Sequence, residues 1–181
     1  MKISIIAAVA ENNIIGKDNS LLWHISDDLK HFKSLTENHA VVMGRKTYFS
    51  LPFRPLKNRR NIVISNSLQK INGVETVNTV EKAFELCNNE NEVFVIGGAS
   101  IYRQTIDFAT KIYLTKIYKS FEGDTFFPKI DKKLWKITDK TDIFYDKKAD
   151  LKYSFINYAN HVLKFQEIDR GNSEFSEAIH P

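Results

Sequence analysis

Four groups of residues in this chain have the types and spacing that chemistry needs. The first is Asp28 with Phe32, four residues apart and so on one face of any helix that carries both. Leu29 widens the apolar part of that face. A carboxylate beside apolar surface needs a hydrogen-bonding partner, and a ligand edge with paired N–H donors would supply two parallel bonds. The same carboxylate also suits the positive end of a helix dipole without any ligand, the role that neighbouring Asp27 fits.

The second group is Gly97-Gly98, which cuts off the apolar run Val93-Phe94-Val95-Ile96. Two glycines there mark either a tight strand-to-helix turn or a place where backbone N–H groups approach a phosphate. Ala99-Ser100-Ile101-Tyr102 follows, which does not complete the six-residue Rossmann fingerprint. A standard Rossmann domain is therefore rejected, while a dinucleotide site stays open. The third group, Gly44-Arg45-Lys46-Thr47, puts two cations and a hydroxyl at a helix start, with Ser65-Asn66-Ser67 after the next strand to add hydrogen bonds. Phosphate binding and solvated surface charge both suit it. The upstream glycine of a nucleotide P-loop is missing, because His39 occupies that place, and this argues against an NTPase. The fourth group, Arg59 and Arg60, reads as an anion clamp or a solvated turn. His24, His31, His39 and His161 show no metal spacing, and no metal is expected.

The elements that must position these groups follow from the hydrophobic pattern. Ile3 to Ala10 is apolar throughout and reads as a buried strand rather than a signal peptide. Residues 12–25 have no sustained period and read as a long connection, a lid or binding loop. A helix then runs from Asp27 to about Glu37, with Ser26 as its N-cap and Leu29, Phe32 and Leu35 on its apolar side. Strands are expected at Ala40–Met43, Asn61–Ser65, Val74–Val77, Glu92–Ile96 and Lys111–Ile117. Helices are expected as a short one through Tyr48, Phe49 and Ser50, from Thr79 to Asn88 or Asn89, and directly after Gly98. Beyond Pro128 the apolar residues alternate, and the turn Asp146–Asp150 makes the last third an antiparallel hairpin. The resulting fold class is α/β, a three-layer sandwich with a mostly parallel sheet and an antiparallel C-terminal edge hairpin. Residues 1–168 form one domain, and 169–181 read as a loosely ordered tail.

Bulk composition narrows the function classes. With 181 residues, 43% hydrophobic and 27% charged, the chain is an ordinary globular domain. A single cysteine, Cys87, rules out an internal disulfide and fits a reducing cytoplasm. The net charge of +4 suits a small anionic ligand and, with no basic block, speaks against nucleic acid. No apolar run approaches the length of a membrane helix.

Taken in order along the chain, these segments resemble the dihydrofolate reductase family of the chromosomal bacterial type. The matching residues are Ile14-Ile15-Gly16 with Trp23, Asp28 through Lys33, Val42 through Thr47, Arg54-Pro55-Leu56, Arg59, Val95 through Tyr102, Tyr113-Leu114-Thr115 and Glu122 through Pro128. The resemblance implies an eight-stranded sheet and NADPH-dependent reduction of 7,8-dihydrofolate to tetrahydrofolate, by hydride transfer to pterin C6 with protonation of N5. Asp28 would bind the pterin, linked to Thr115, with Leu21 and Trp23 completing the catalytic set. Ile6, Ala8, Leu29, Phe32, Leu51, Leu56, Ile96 and Tyr102 would line the substrate pocket, and Arg59 would clamp the substrate's glutamate carboxylate.

For the cofactor, the resemblance places Arg45 and Asn66 at the 2′-phosphate, with Gly44, Ile64 and Ser65 beside them. Lys46, Thr47 and the segment Gly97, Gly98, Ala99, Ser100, Ile101, Tyr102 and Gln104 would hold the pyrophosphate. Ala8, Ile15, Gly16, Asn19 and Leu21 would surround nicotinamide. A cis peptide between Gly97 and Gly98 is also implied. Two positions depart from the pattern: Leu22 stands where a proline is usual before the loop tryptophan, and Ser100 where some relatives carry an arginine. The expected protein is a cytoplasmic monomer that binds small molecules, antifolates included. The competing readings are a related pterin or pyrimidine reductase and a non-catalytic folate or nucleotide carrier.

Overall fold

A computed structural model describes residues 1–67 and 71–163. Among these described residues, eleven strands and four helices are laid out so that helices cover both faces of one large sheet. In chain order they are β1 (Lys2–Val9), β2 (Ile14–Gly16), α1 (Ser26–Thr36), β3 (Ala40–Gly44), α2 (Arg45–Ser50), β4 (Arg60–Ile64), β5 (Glu75–Val77) and α3 (Val80–Leu86). There follow β6 (Glu92–Gly97), α4 (Ala99–Thr105), β7 (Lys111–Ile117), β8 (Thr125–Phe126), β9 (Trp135–Lys140), β10 (Phe144–Asp146) and β11 (Leu151–Asn160).

The main sheet has the order β10-β11-β7-β1-β6-β3-β4-β5, with β9 also paired to β11. From β7 to β5 every pairing is parallel, and β11 turns antiparallel against β7. Nine strands occupy eight positions, because β10 pairs with the first residues of β11 and β9 with the last. The expected sandwich and edge hairpin are both present. Alternate residues of each buried strand face opposite layers. Ile6, Val41, Met43, Val63 and Phe94 pack under Phe32 and Leu35 of α1 and Tyr48 of α2. Ile5, Ala7 and Val95 pack against Ile101 and Tyr102 of α4 on the other face, where Ala40, Val42 and Ile62 meet Ala83 and Cys87 of α3 and its cap.

Three local expectations change. Ser26 is the first residue of α1 rather than its cap; Ile25 holds the cap position without a side-chain bond. Ile25 is buried with Ala10, Ile14 and Trp23, so packing rather than a hydroxyl sets where the helix begins. The helix after Thr79 stops at Leu86, with Cys87 as its C-cap, two to three residues short of the expected end. Thr79 itself caps that helix as its type suggests, accepting from the Lys82 N–H.

The connection 12–25 is more ordered than its pattern suggests. Its residues 14–16 pair with β8 as a small separate sheet. Lys17 and Ser20 exchange backbone bonds around Asp18 and Asn19, which both have positive φ. That is a two-residue hairpin turn of the kind Asp and Asn tolerate. Residues 169–181 lie outside the described residues, and no described helix is long and apolar enough to cross a membrane.

Candidate active site

The ends of β1, β3 and β6 converge where the chain leaves each strand for a helix or loop, the usual place for a ligand in an open α/β sheet. Asp28, in the first turn of α1, reaches back to the sheet, and Thr115 Oγ1 donates to its Oδ1 at 2.6 Å. Thr115 lies on β7 in register between Ala8 of β1 and Phe155 of β11, so three strands fix it. Burial pushes the Asp28 carboxyl above the ordinary carboxylate range, and the Thr115 bond works against that rise. Asp27 points elsewhere, accepting from Lys30 and from the Tyr153 hydroxyl at 3.1 Å.

Tyr102 crosses from the opposite layer. Its hydroxyl donates to the Ile6 carbonyl at 2.8 Å. Burial raises the phenol pKa, and the Asp28 charge raises it further. Ile6, Phe32, Leu51, Leu56 and Ile96 pack in one cluster on the face of the sheet that α1 covers. Ala8 belongs to the neighbouring cluster with Trp23. Leu29 stays 43% exposed on the helix surface.

Arg59 sits at the edge of this cluster with its guanidinium 5.8 Å from the Phe32 ring centroid. Its Nε is buried and has no hydrogen-bond partner, and burial lowers the pKa of the group. A desolvated cation with an unmet donor is suited to an anion. Asn61 supports it from below, a residue the sequence did not single out. The Asn61 amide accepts from the Leu56 N–H and donates to the Leu56 and Arg59 carbonyls, all at 2.9–3.0 Å. That amide folds residues 56–59 into the turn that presents both Leu56 and Arg59.

Opposite Asp28 lies a polar corner made by α2, α4 and the end of β4. The peptide between Gly97 and Gly98 is cis. A Cβ on Gly98 would stand 3.1 Å from Thr47 Oγ1, and one on Gly97 would stand 3.3 Å from the Tyr102 hydroxyl. Gly97 also has φ +123°, which glycine adopts most readily. A Cβ on Gly44 would press Ile101 at 3.3 Å, so α2 and α4 approach through glycine on both strands. Arg45 Nη1 donates to Ser67 Oγ at 2.7 Å, and Ser65 Oγ donates to the Ser67 carbonyl at 3.0 Å. Ser67 is thus tied to Arg45, beside the Asn66 that the resemblance places at the same phosphate. Ser100 Oγ accepts from Gln104 Nε2 at 3.1 Å. Lys46 is exposed, and Ile64 is partly buried in the adjoining clusters.

The loop completes the cleft. Ile15 packs on the core, Gly16 pairs with Thr125, Asn19 forms the turn, and Leu21 is 62% exposed. Trp23 is buried against Phe121 at 5.1 Å, and its indole N–H has no partner. The loop is held from outside by residues 121–127. Asn12 Nδ2 donates to the Phe121 carbonyl, the Asp18 N–H to Asp124 Oδ2 at 3.1 Å, and the Phe127 N–H to the Asn13 carbonyl. In the sequence this strap appears only within the matching segment Glu122 through Pro128, with no role attached to Asp124.

This geometry has known counterparts. A family model described as dihydrofolate reductase matches residues 2–160. Dihydrofolate reductase of Bacillus subtilis (strain 168) is 40% identical over 157 residues, covering 86% of this chain and 93% of the relative. That of Neisseria gonorrhoeae is 44% identical over 159 residues, covering 87% and 98%. The structure of dihydrofolate reductase from Enterococcus faecalis complexed with NADP(H) and RAB-propyl superposes with a TM-score of 0.81 at 33% identity, covering 88% of this chain and 96% of that one.

Proposed function

The chain belongs to the dihydrofolate reductase family, and we propose that it reduces 7,8-dihydrofolate to 5,6,7,8-tetrahydrofolate at the expense of NADPH. It is an oxidoreductase, and the observation that carries its substrate is the partly buried Asp28 carboxylate, whose Oδ1 accepts from Thr115. A pterin presents a ring N–H and an amino group side by side, which matches a carboxylate edge. Arg59, with its unmet buried donor, takes the carboxylate at the other end of the substrate.

The residues of the opposite corner fit NADPH. Arg45 and Ser67 meet the 2′-phosphate, joined by Asn66, while Lys46 and Thr47 meet the pyrophosphate. Gly97 and Gly98 let Tyr102 and Thr47 close against bare backbone here, where a Cβ would crowd either side chain, and so bring Thr47 to the start of α4. When bound, the cofactor supplies the hydride accepted at pterin C6. The chain's contribution is alignment of two planar rings between Ala8, Ile15, Gly16 and Leu21 on one side and Phe32 and Ile96 on the other. Asp28 anchors the pterin and sets the local electrostatics, and N5 takes its proton from water admitted beside Leu21. Closure of residues 11–25 excludes bulk water. The protein acts as a cytoplasmic monomer whose catalytic domain ends near residue 168.

The test is product identity. Incubation with dihydrofolate and NADPH should yield tetrahydrofolate by chromatography and mass, in amounts equal to the NADPH consumed. NADPH binding with dihydrofolate recovered unchanged would assign the fold to another heterocycle.

A further inference from the structure

Arg45 opens α2, and its guanidinium is held from two sides. One side is the bond to Ser67 Oγ. The other is the ring of Phe49, four residues on and so on the same helix face, with the guanidinium carbon 5.6 Å from the ring centroid. A second guanidinium, that of Arg54, stands 5.5 Å from the same centroid. Arg54 is itself fixed, because Nη1 donates to the Phe49 and Leu51 carbonyls at 3.2 and 3.1 Å. Phe49 is 47% exposed, with its ring set edge-on to the buried Tyr48 at 5.3 Å and the rest open to the two guanidinium groups and solvent.

We propose that Phe49 is a positioning residue that aims Arg45 at the 2′-phosphate and thereby sets the preference for NADPH over NADH. The proposal rests on the assignment of Arg45 to that phosphate. A solvated arginine has many rotamers, and ordering it at the moment of binding costs affinity. A ring face beneath the guanidinium orders it beforehand without using any of its N–H donors. Ser67 engages one donor, and the rest stay free for phosphate oxygens. The negative face of the ring also offsets repulsion between two arginines, which keeps positive potential at the corner. The corner depends on this because Ser100 supplies no cation and its hydroxyl is engaged by Gln104.

The experiment is kcat/KM for NADPH and for NADH in wild type, F49L, F49W and R45A. F49L keeps apolar bulk and removes the ring. Its NADPH/NADH ratio should fall about two- to fivefold, the size of an exposed cation–π contact, through KM for NADPH. F49W, with a stronger ring face, should hold the ratio at or above wild type. R45A should lower the ratio further than F49L. A wild-type ratio in F49L alongside a lowered one in R45A would overturn the proposal and leave the phosphate assignment standing. Equal losses with both cofactors in F49L, or F49W falling as far as F49L, would also overturn it. An unchanged ratio in R45A would remove both.

Discussion

Thr115 Oγ1 lies 2.6 Å from Asp28 Oδ1, across 87 residues of chain. This bond joins the first turn of α1 to the middle of β7. A hydroxyl donor to an ionised acceptor is among the stronger protein hydrogen bonds, and here both groups are largely withdrawn from water. Recognition and ionisation at this site therefore depend on one threonine.

Asp28→Asn should lower dihydrofolate reduction at neutral pH by about a hundredfold or more, while NADPH affinity stays near wild type. It should also raise thermal stability in a pH-dependent way. The folded carboxyl titrates above its ordinary value of 3.8, so the folded state binds more protons than the unfolded one through that window. Keeping Asp28 ionised thus costs stability that grows as pH rises past 3.8 and through the folded value. The gain in Tm of the variant should be small at pH 4 and larger at pH 7, as read by calorimetry.

Thr115→Val keeps the shape and removes the donor. Because the Thr115 bond lowers the Asp28 pKa, its loss should move the Asp28 limb of the pH profile of kcat/KM upward. Folding stability at pH 7 should fall by about 1–3 kcal/mol, the cost of an under-satisfied buried group.

Arg59→Lys preserves charge but not the guanidinium fork. KM for dihydrofolate should rise about tenfold, with KM for NADPH little affected, since Arg59 lies on the Phe32 side of the cleft. Equal changes for both ligands in steady-state kinetics would contradict the assignment.

Gly98→Ala brings a methyl to 3.1 Å from Thr47 Oγ1. NADPH affinity should drop about tenfold by fluorescence titration. Removing the opposing atom in the Gly98→Ala, Thr47→Ala pair should not restore it, because Thr47 is itself a proposed phosphate contact. The single and double variants should therefore be similarly weak.

Asp124→Ala should free the loop. The Asp124 carboxylate accepts from the Thr125 hydroxyl and the Asp18 N–H, and these bonds hold its pKa below 3.8, the Thr125 bond most strongly. Their contribution is present above 3.8 and is lost as pH falls through the folded value. At pH 7 the variant should be cut by trypsin after Lys17 several-fold faster than wild type. The same acceleration should be absent for cleavage sites on β9.

Most of the architecture was legible because the buried strands are short apolar runs bounded by glycine, polar turns or helix caps. Lys111–Ile117 and the Thr79 cap appear where their residue types place them. The pattern was less informative where tertiary packing outweighs local preference. Ser26 looks like a cap, yet burial of Ile25 starts the helix one residue earlier. Asp28 stood out as a charge sharing a helix face with apolar residues, whereas Arg59 stood in a basic turn that suited a clamp and a solvated loop equally. Asn61 did not stand out, and Ser67 and Asp124 showed only as members of the segments Ser65–Ser67 and Glu122–Pro128, because their particular partners are brought near only by folding.

The most direct test is the initial rate of NADPH absorbance loss with and without dihydrofolate, repeated with NADH. Oxidation that requires dihydrofolate and prefers NADPH is the predicted result. NADPH oxidation independent of dihydrofolate, or none in the presence of both, would contradict the account.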